Sequence, residues 1–203
     1  MEKAVVENHK RYLERIALYK SFGYDIEKER KFVIENAEPL YGDILEVGTG
    51  KGYLTVALAK EGYEFSSVDI SEQEQEFAQL NIKYFGLEKQ VDFRIENAEQ
   101  LSFEDGYFDI IFSANMTHHL TNTFKVIDEF IRIISLEGKI ILSDFNEEGL
   151  KLVDKIHISE GNRHQSSEIM LVQIKDYLVD KGFRTTQYTS EFQDMLIASH
   201  QLI

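Results

Sequence analysis

Two segments with apolar residues at helical spacing open the chain. Apolar side chains recur three and four positions apart from residue 5 to about residue 20, which predicts a first helix that ends before Gly23. A second helix is predicted from about residue 26 to residue 36, because Pro39 pushes the residue before it out of the helical region. Both helices precede the first predicted strand. We therefore expect them to cover or flank the domain rather than to join its alternating core.

Beyond Pro39, short apolar runs alternate with helical stretches. Strands are predicted at residues 44–47, 65–70, 91–95, 108–112, 139–145, 183–189 and 195–199. Helices are predicted at residues 52–61, 72–85, 147–161 and 166–181, and in a segment that places Phe124, Ile127, Ile131 and Ile134 on one stripe. This alternation predicts an α/β protein with a mostly parallel sheet and helices on both faces.

Composition and charge narrow the class of protein. A chain with 43% hydrophobic and 29% charged residues has the composition of an ordinary globular domain. The absence of cysteine excludes disulfides, thiolate metal sites and a cysteine nucleophile. A formal net charge of −14 opposes binding to phosphate backbones, so we expect a small-molecule partner and no nucleic acid. The longest charge-free run, residues 110–124, is too short and polar to span a bilayer, and no signal segment is visible. We therefore expect a cytoplasmic protein with no membrane partner.

A glycine-rich loop follows the first predicted strand. The sequence Glu46-Val47-Gly48-Thr49-Gly50-Lys51-Gly52 leads from that strand into a helix. Glycine permits sharp backbone turns and the close approach of a ligand. The helix that follows directs its free N–H groups and its positive dipole end toward such a ligand. Asp69 ends the second predicted strand, where its carboxylate can accept hydrogen bonds from a ribose diol.

Spacing separates the two cofactor classes that use such a loop. A dinucleotide fingerprint, G-x-G-x-x-G, would need a third glycine at position 53, where this chain has Tyr53. The observed pattern E-x-G-x-G-x-G instead resembles motif I of the class I S-adenosylmethionine methyltransferases. The resemblance implies a Rossmann-like, doubly wound α/β fold with a seven-stranded sheet, an antiparallel closing strand and an N-terminal helical extension. It also implies S-adenosyl-L-methionine as cofactor and S-adenosyl-L-homocysteine as product.

Further motifs extend the resemblance over about residues 36–145. Asn97-Ala98-Glu99 resembles the segment that contacts adenine in such enzymes, with Asn97 in place of the usual acid. Residues 103–111 resemble the family's lead into its fourth strand, and residues 113–120 resemble the "HHL" segment of small-molecule, type-11-like members. The cofactor-binding residues implied in this way are Glu46, Gly48, Thr49, Gly50, Gly52, Asp69, Ile70, Asn97, Ala98, Glu99, Ser113 and Ala114.

The same resemblance divides one predicted domain, residues 1–203, into three functional parts. Residues 1–38 form N-terminal helices that cover or flank the site, and residues 39–145 form the cofactor-binding core. Residues 146–203 supply substrate-side helices and closing strands. No repeat, low-complexity tract or linker interrupts this organisation.

Histidines provide the candidates for catalysis. The resemblance implies that His118 faces the pocket, where it could act as a base. His157 and His164 lie after the fifth strand, where this fold commonly inserts substrate-covering helices, and Arg163 beside them could bind an anionic substrate group. Solvent-exposed histidines are the simpler interpretation. A metal site formed by His157, His164 and His118 is a third one, although no second motif sets ligand geometry, and our prediction includes no metal.

Several functions remain open at this point. The leading hypothesis is methyl transfer to a small molecule by in-line displacement, which needs mainly alignment and exclusion of water. A noncatalytic S-adenosylmethionine-binding protein and an NAD-type oxidoreductase are the alternatives. Neither the acceptor nor the accepting atom is specified by the sequence, and the N-terminal helices suit a monomer or a homodimer.

Overall fold

A computed structural model describes residues 2–161 and 169–201 of the chain. Its helices are α1 (Lys3–Ser21), α2 (Ile26–Ala37), α3 (Tyr53–Lys60), α4 (Glu72–Phe85), α5 (Thr123–Ile133), α6 (Glu147–Ser159) and α7 (Leu171–Asp180). Its strands are β1 (Ile44–Val47), β2 (Phe65–Asp69), β3 (Val91–Ile95), β4 (Phe108–Ala114), β5 (Ile134–Phe145), β6 (Phe183–Thr189) and β7 (Gln193–His200). Short 3₁₀ helices occur at Glu88–Gln90 and Thr117–His119.

The seven strands form one sheet in the order β3-β2-β1-β4-β5-β7-β6. All pairs from β3 to β5 are parallel, whereas β7 runs antiparallel to both β5 and β6. The predicted doubly wound, mostly parallel sheet with one antiparallel strand is therefore confirmed. The strand order reverses between β1 and β4, and ligands of such sheets bind beyond the carboxyl ends of the strands at this point.

The central strands bury side chains on both faces of the sheet. On β4, Ile111 faces the layer of α5 and α7, while its neighbours Ile110 and Phe112 face the layer of α2, α3 and α4. All three side chains are 0% exposed. Residues of β5 alternate in the same way, because successive side chains of a strand point to opposite faces. The carboxyl ends of these strands are thus held between two rigid helical layers.

Local sequence signals set the boundaries of α4. The Ser71 hydroxyl accepts a hydrogen bond from the Glu74 N–H at 3.2 Å, so Ser71 is the N-cap of this helix. Gly86 ends the helix in the left-handed conformation, with φ of 71°. These two signals place the amino end of α4 directly after Asp69, the candidate ribose ligand.

The N-terminal helices pack at two different places. Helix α2 packs beside α3 in the hydrophobic core on one face of the sheet, through Val33 and Ile34. The end of α1 and the start of α2 instead form a small apolar cluster with α6, which includes Tyr24 and Ile156. The prediction that both helices only flank the domain is therefore wrong for α2, whose apolar face completes one side of the sheet.

The buried face of α5 differs from the apolar stripe that the sequence predicted for this helix. Ile134 was expected on the helix but begins β5 and pairs with Phe108, because the helix ends at Ile133 and Ile134 has extended backbone angles. The fully buried residues of α5 are Val126, Ile127, Phe130 and Ile133. The predicted strand 139–145 also begins earlier than expected, because β5 runs from Ile134 to Phe145 and includes Gly138.

Within the described part of the chain, none of the helices combines the length and hydropathy needed to cross a membrane.

Candidate active site

The glycine loop is fixed to the neighbouring strand by its backbone. The N–H groups of Gly48 and Thr49 donate to the Val68 carbonyl at 2.9 and 3.2 Å. The N–H of Gly50 donates to a carboxylate oxygen of Asp69 at 2.7 Å. All three loop glycines have positive φ, between 50° and 89°, a region that other residues rarely adopt. The loop therefore holds a defined shape at the carboxyl ends of β1 and β2.

Each glycine of this loop is needed for a different spatial reason. A Cβ on Gly52 would lie 2.7 Å from the Cβ of Ala78, so Gly52 permits the close packing of the loop on α4. A Cβ on Gly48 would lie 2.7 Å from the Met116 sulfur. A Cβ on Gly50 would meet no atom within 4 Å. Gly50 therefore faces open space, and a ligand can approach its backbone.

Glu46 lies under the loop at the end of β1 and is 2% exposed. One of its carboxylate oxygens accepts hydrogen bonds from Thr55 and Ser67 at 2.7 and 2.6 Å. Burial raises the pKa of Glu46 to about 7, although these two hydrogen bonds act in the opposite direction. Glu46 thus carries a proton near neutral pH much more readily than an ordinary glutamate.

A first cavity of about 380 Å³ lies beyond β2 and β3, and we call it the Asp69 cavity. Asp69 contributes its carboxylate, which also accepts from the Ser71 N–H at 2.8 Å and keeps lone pairs available. Ile70 is 70% exposed beside it and provides an apolar surface. The lining residues include Gly48, Gly50, Asp69, Ile70, Glu96, Asn97, Ala98, Glu99, Asn115, Met116, His119 and Leu120.

A second cavity of about 270 Å³ adjoins it, and we call it the His118 cavity. The two cavities share Gly48, Gly50, Asn115 and His119. The second is lined by the N-terminal helices, the glycine loop and α6. Its lining residues include Arg15, Tyr19, Tyr24, Arg30, Glu46, Thr49, Lys51, Tyr53, Ala114, His118, Phe145, Val153 and His157.

His118 and Asp144 form a buried pair in the wall of the His118 cavity. The Nδ1 atom of His118 lies 2.5 Å from Asp144 Oδ1, and both side chains are 7% exposed. Asp144 also accepts hydrogen bonds from the Thr117 hydroxyl and from the backbone N–H groups of His118 and Phe145. Burial alone would raise the pKa of Asp144, but the contacts with His118 and the other donors hold it below its ordinary value.

This pairing sets the tautomer of the histidine. An ionised carboxylate only accepts hydrogen bonds, so Nδ1 of His118 carries a proton. The lone pair of a neutral His118 then lies on Nε2. A histidine oriented in this way by a carboxylate has the arrangement of a general base.

The structure brings most of the predicted cofactor residues together. Glu46, Gly48, Thr49, Gly50 and Ala114 line the His118 cavity, and Asp69, Ile70, Asn97, Ala98 and Glu99 line the Asp69 cavity.

At four of the predicted cofactor-binding positions, the residue contacts other protein groups or lies outside both cavities. The Asn97 side-chain oxygen accepts from the Glu99 N–H at 2.9 Å, and the Glu99 carboxylate is bound by Asn122 and Lys125. Ser113 is buried behind the cavity wall, and its hydroxyl donates to the Met116 sulfur at 3.7 Å. Gly52 packs against α4 and lines neither cavity.

The predicted catalytic residues have different outcomes. His118 and His157 both line the His118 cavity. The candidates His164 and Arg163 lie outside the described residues. Among the residues that the structure describes, no group of three or more histidines and carboxylates is arranged to hold a metal ion.

Sequence analysis missed Asp144 and the cationic residues Arg15 and Arg30. Asp144 could have been found, since it lies at the carboxyl end of the predicted strand 139–145, as Asp69 does on its own strand. The two arginines lie on α1 and α2, and helical spacing alone does not say which helix residues reach the edge of the sheet.

Comparison with known proteins finds a methyltransferase family model and methyltransferase relatives that match this chain. Residues 45–142 match the family model described as a methyltransferase domain. The ubiquinone biosynthesis O-methyltransferase of Xanthomonas axonopodis pv. citri is 25% identical over 163 residues, which are 76% of this chain and 67% of the relative. Norajmaline N-methyltransferase of Rauvolfia serpentina is 29% identical over 109 residues, which are 53% of this chain and 37% of the relative.

A solved structure shows the same fold with a related ligand. Magnesium protoporphyrin IX methyltransferase from Synechocystis PCC 6803 with bound SAH has a TM-score of 0.63 and 20% identity. The match covers 87% of this chain and 82% of that one. The family match over residues 45–142 and the curated relatives support the predicted class of S-adenosylmethionine-dependent methyltransferases, and the solved structure shows its fold. The chain spans less than two thirds of several curated relatives that it matches.

Proposed function

We propose that this protein transfers the methyl group of S-adenosylmethionine to a small-molecule acceptor, with His118 as general base. The observation that carries the proposal is the buried His118–Asp144 pair in a cavity that shares the glycine loop with the Asp69 cavity. The first cavity has the residues for an adenosine, and the second has room for the rest of the cofactor beside an acceptor.

The residues of the Asp69 cavity fit an adenosine group. Asp69 offers carboxylate lone pairs for ribose hydroxyls, while Ile70 and Leu120 offer apolar surfaces for a base. Gly50 leaves the loop open to close approach. In the His118 cavity, Arg30 and Lys51 are cations near the loop that would suit a carboxylate of the amino-acid end.

The methyl group of the bound sulfonium cofactor is already activated, so the protein has mainly to align the acceptor and exclude water. Aromatic and aliphatic side chains from α1, α6 and β5 form part of the lining of the His118 cavity. Nε2 of His118 takes the proton from a hydroxyl or amine acceptor, and the Asp144 carboxylate stabilises the resulting imidazolium. A general base of this kind contributes about 10²–10⁴ in rate.

A small acceptor is favoured over a nucleic acid. The cavity volume of about 270 Å³ suits a small molecule, and the net charge of −14 opposes a phosphate backbone. The curated relatives described above carry O- and N-methyltransferase names, so the accepting atom is open between a hydroxyl and an amine.

The test is methyl transfer from S-adenosylmethionine labelled on its methyl group to pools of small phenols, amines and carboxylic acids. Wild type and His118→Gln are compared, with His200→Gln, which lies outside both cavities, as control. We expect His118→Gln to lower kcat at pH 7 by about 100-fold or more, with S-adenosylhomocysteine binding preserved. Cofactor binding without turnover on any acceptor would instead support a noncatalytic cofactor-binding protein.

A further inference from the structure

Gln193 is the centre of a buried polar network outside the segment that matches the family model. It begins β7, is 0% exposed, and contacts groups from four other parts of the fold. Its side-chain oxygen accepts from Arg30 at 3.5 Å and from the Ser143 hydroxyl at 3.3 Å. Its side-chain nitrogen lies 2.6 Å from the Tyr24 hydroxyl and 2.7 Å from Asn115 Oδ1. The network therefore joins α2, the α1–α2 turn, β5 and the loop after β4.

Arg30 determines which end of the Gln193 amide faces which partner. A guanidinium can only donate hydrogen bonds, so the group that meets Arg30 must be the amide oxygen of Gln193. The amide nitrogen must then face Tyr24 and Asn115. Its two hydrogens supply one hydrogen bond to each of them.

The orientation of the Gln193 amide also sets the orientation of the Asn115 amide. Its Oδ1 atom accepts from Gln193, so the oxygen end of the Asn115 amide faces Gln193 and the NH₂ end points away from it. Asn115 holds this orientation from a left-handed backbone conformation with φ of 54°. It also lies at the junction of the two cavities.

The Tyr24 oxygen accepts from the Gln193 amide nitrogen, and the Tyr24 proton cannot be donated back to that nitrogen. Tyr24 is 1% exposed and lines the His118 cavity, with Arg30 and Asn115. Its ring is held by Phe145 and Phe192, at centroid distances of 5.6 and 5.7 Å. The hydroxyl oxygen therefore has a fixed place, and its proton is directed away from the Gln193 nitrogen.

We propose that Gln193 is a positioning residue that turns the Tyr24 hydroxyl proton toward the His118 cavity, where Tyr24 donates it to an anionic oxygen of a bound ligand. This inference rests on the proposed function, which supplies two sources of such an oxygen. One is the carboxylate of the cofactor's amino-acid end, and the other is an oxygen of the acceptor. Arg30 beside the same cavity adds positive charge to either one.

The decisive variant is Gln193→Glu, which keeps the size of the side chain and reverses its polarity. A carboxylate can still accept from Arg30 and Ser143, but it also accepts from Tyr24, whose proton then turns away from the cavity. Gln187→Glu makes the same chemical change at an exposed site on the neighbouring strand β6 and is the matched control. Tyr24→Phe removes the proton directly and preserves the ring contacts, so it serves if Gln193→Glu does not fold.

Binding is measured by calorimetry with S-adenosylhomocysteine and with 5′-methylthioadenosine, which lacks the carboxylate. If the cofactor carboxylate is the ligand, Gln193→Glu and Tyr24→Phe each weaken S-adenosylhomocysteine binding about tenfold and leave 5′-methylthioadenosine binding within about twofold. If an acceptor oxygen is the ligand, both Kd values stay unchanged and the KM of the acceptor rises about tenfold.

Three results would overturn the inference. Folded Tyr24→Phe with wild-type Kd and KM values shows that no ligand takes the proton. Equal weakening of both nucleosides indicates a structural effect on the whole site. If wild type does not bind S-adenosylhomocysteine at all, both the proposed function and this inference are removed. If wild type binds it and neither variant changes the Kd or the KM of the acceptor, only this inference is removed.

Discussion

Replacing Asp144 by asparagine tests the account of the catalytic pair. In the structure each Asp144 oxygen accepts two hydrogen bonds: Oδ1 from His118 Nδ1 and the Phe145 N–H, and Oδ2 from the Thr117 hydroxyl and the His118 N–H. An asparagine NH₂ group can replace only one of these oxygens. Whichever oxygen it replaces, the NH₂ group faces one backbone N–H that loses its acceptor.

The magnitude follows from that mismatch and from the lost charge. A buried N–H without an acceptor costs about 1–3 kcal/mol, and the loss of the charge-assisted contact with His118 adds a similar amount. We therefore expect Asp144→Asn to destabilise the protein by about 2–6 kcal/mol, which lowers Tm by roughly 4–24 °C for a chain of this size. If the asparagine NH₂ group takes the place of Asp144 Oδ1, it donates to His118 Nδ1. The histidine proton then moves to Nε2, and His118 can no longer act as the base. The expected loss in kcat is then about 10²–10⁴.

The assay combines turnover, cofactor binding and acid stability. We expect kcat to fall while S-adenosylhomocysteine binding changes by less than about threefold, since Asp144 reaches the cavity only through His118. The pKa of Asp144 lies below its ordinary value of 3.8, so its contribution to stability is present above that pH and is lost as pH falls through the folded-state pKa. The Asp144→Asn variant should lack this pH-dependent contribution to the free energy of unfolding.

A matched control is Asp92→Asn, at an exposed aspartate on β3. A folded Asp144→Asn enzyme with kcat within about threefold of wild type across the pH range would refute the reasoning, because the pair would then have no role in proton transfer.

Two further predictions concern the glycine loop and the acid beneath it. Burial raises the pKa of Glu46 to about 7, so the folded protein favours the protonated form. As pH rises from about 4.5 to 7, wild type should therefore lose roughly 3 kcal/mol of stability relative to Glu46→Gln. Chemical denaturation at several pH values measures this difference. Equal pH dependence of the two proteins would contradict it. Gly52→Ala should cost about 2–5 kcal/mol, since its Cβ meets Ala78 at 2.7 Å with a φ of 80°. Gly50→Ala should cost only about 1–2 kcal/mol but should weaken cofactor binding, which calorimetry measures. The reverse order of effects would show that Gly50 is the packing glycine.

Most of the residues that the sequence predicted for the cofactor line the two cavities, for a physical reason. The glycine loop, Asp69 and the N-cap Ser71 are local signals, since each depends on a turn, a strand end or a helix start within a few residues. Strand and helix periods then placed these segments in one parallel sheet. The order of the strands brings their carboxyl ends together, so the Asp69 cavity follows from local patterns combined with a general rule of topology.

The contacts around the His118 cavity could not be predicted in this way. The pairing of His118 with Asp144 and the network of Gln193 with Tyr24 join residues far apart in sequence. Their contacts depend on the angle at which α1 and α2 meet the sheet and on the register of β7 between β5 and β6. Neither quantity leaves a periodic signal, and Asn115 adopts a left-handed conformation that its sequence neighbours do not indicate.

Binding of the cofactor tests the central claim most directly. Calorimetry with S-adenosylhomocysteine is carried out on wild type and Asp69→Ala, with Asp92→Ala as the control at an exposed carboxylate. The account predicts micromolar binding by wild type and by the control, weakened tenfold or more, about 1.4 kcal/mol, by Asp69→Ala. Absence of binding by well-folded wild-type protein, or an Asp69→Ala affinity equal to that of wild type, would contradict the assignment of the cofactor site.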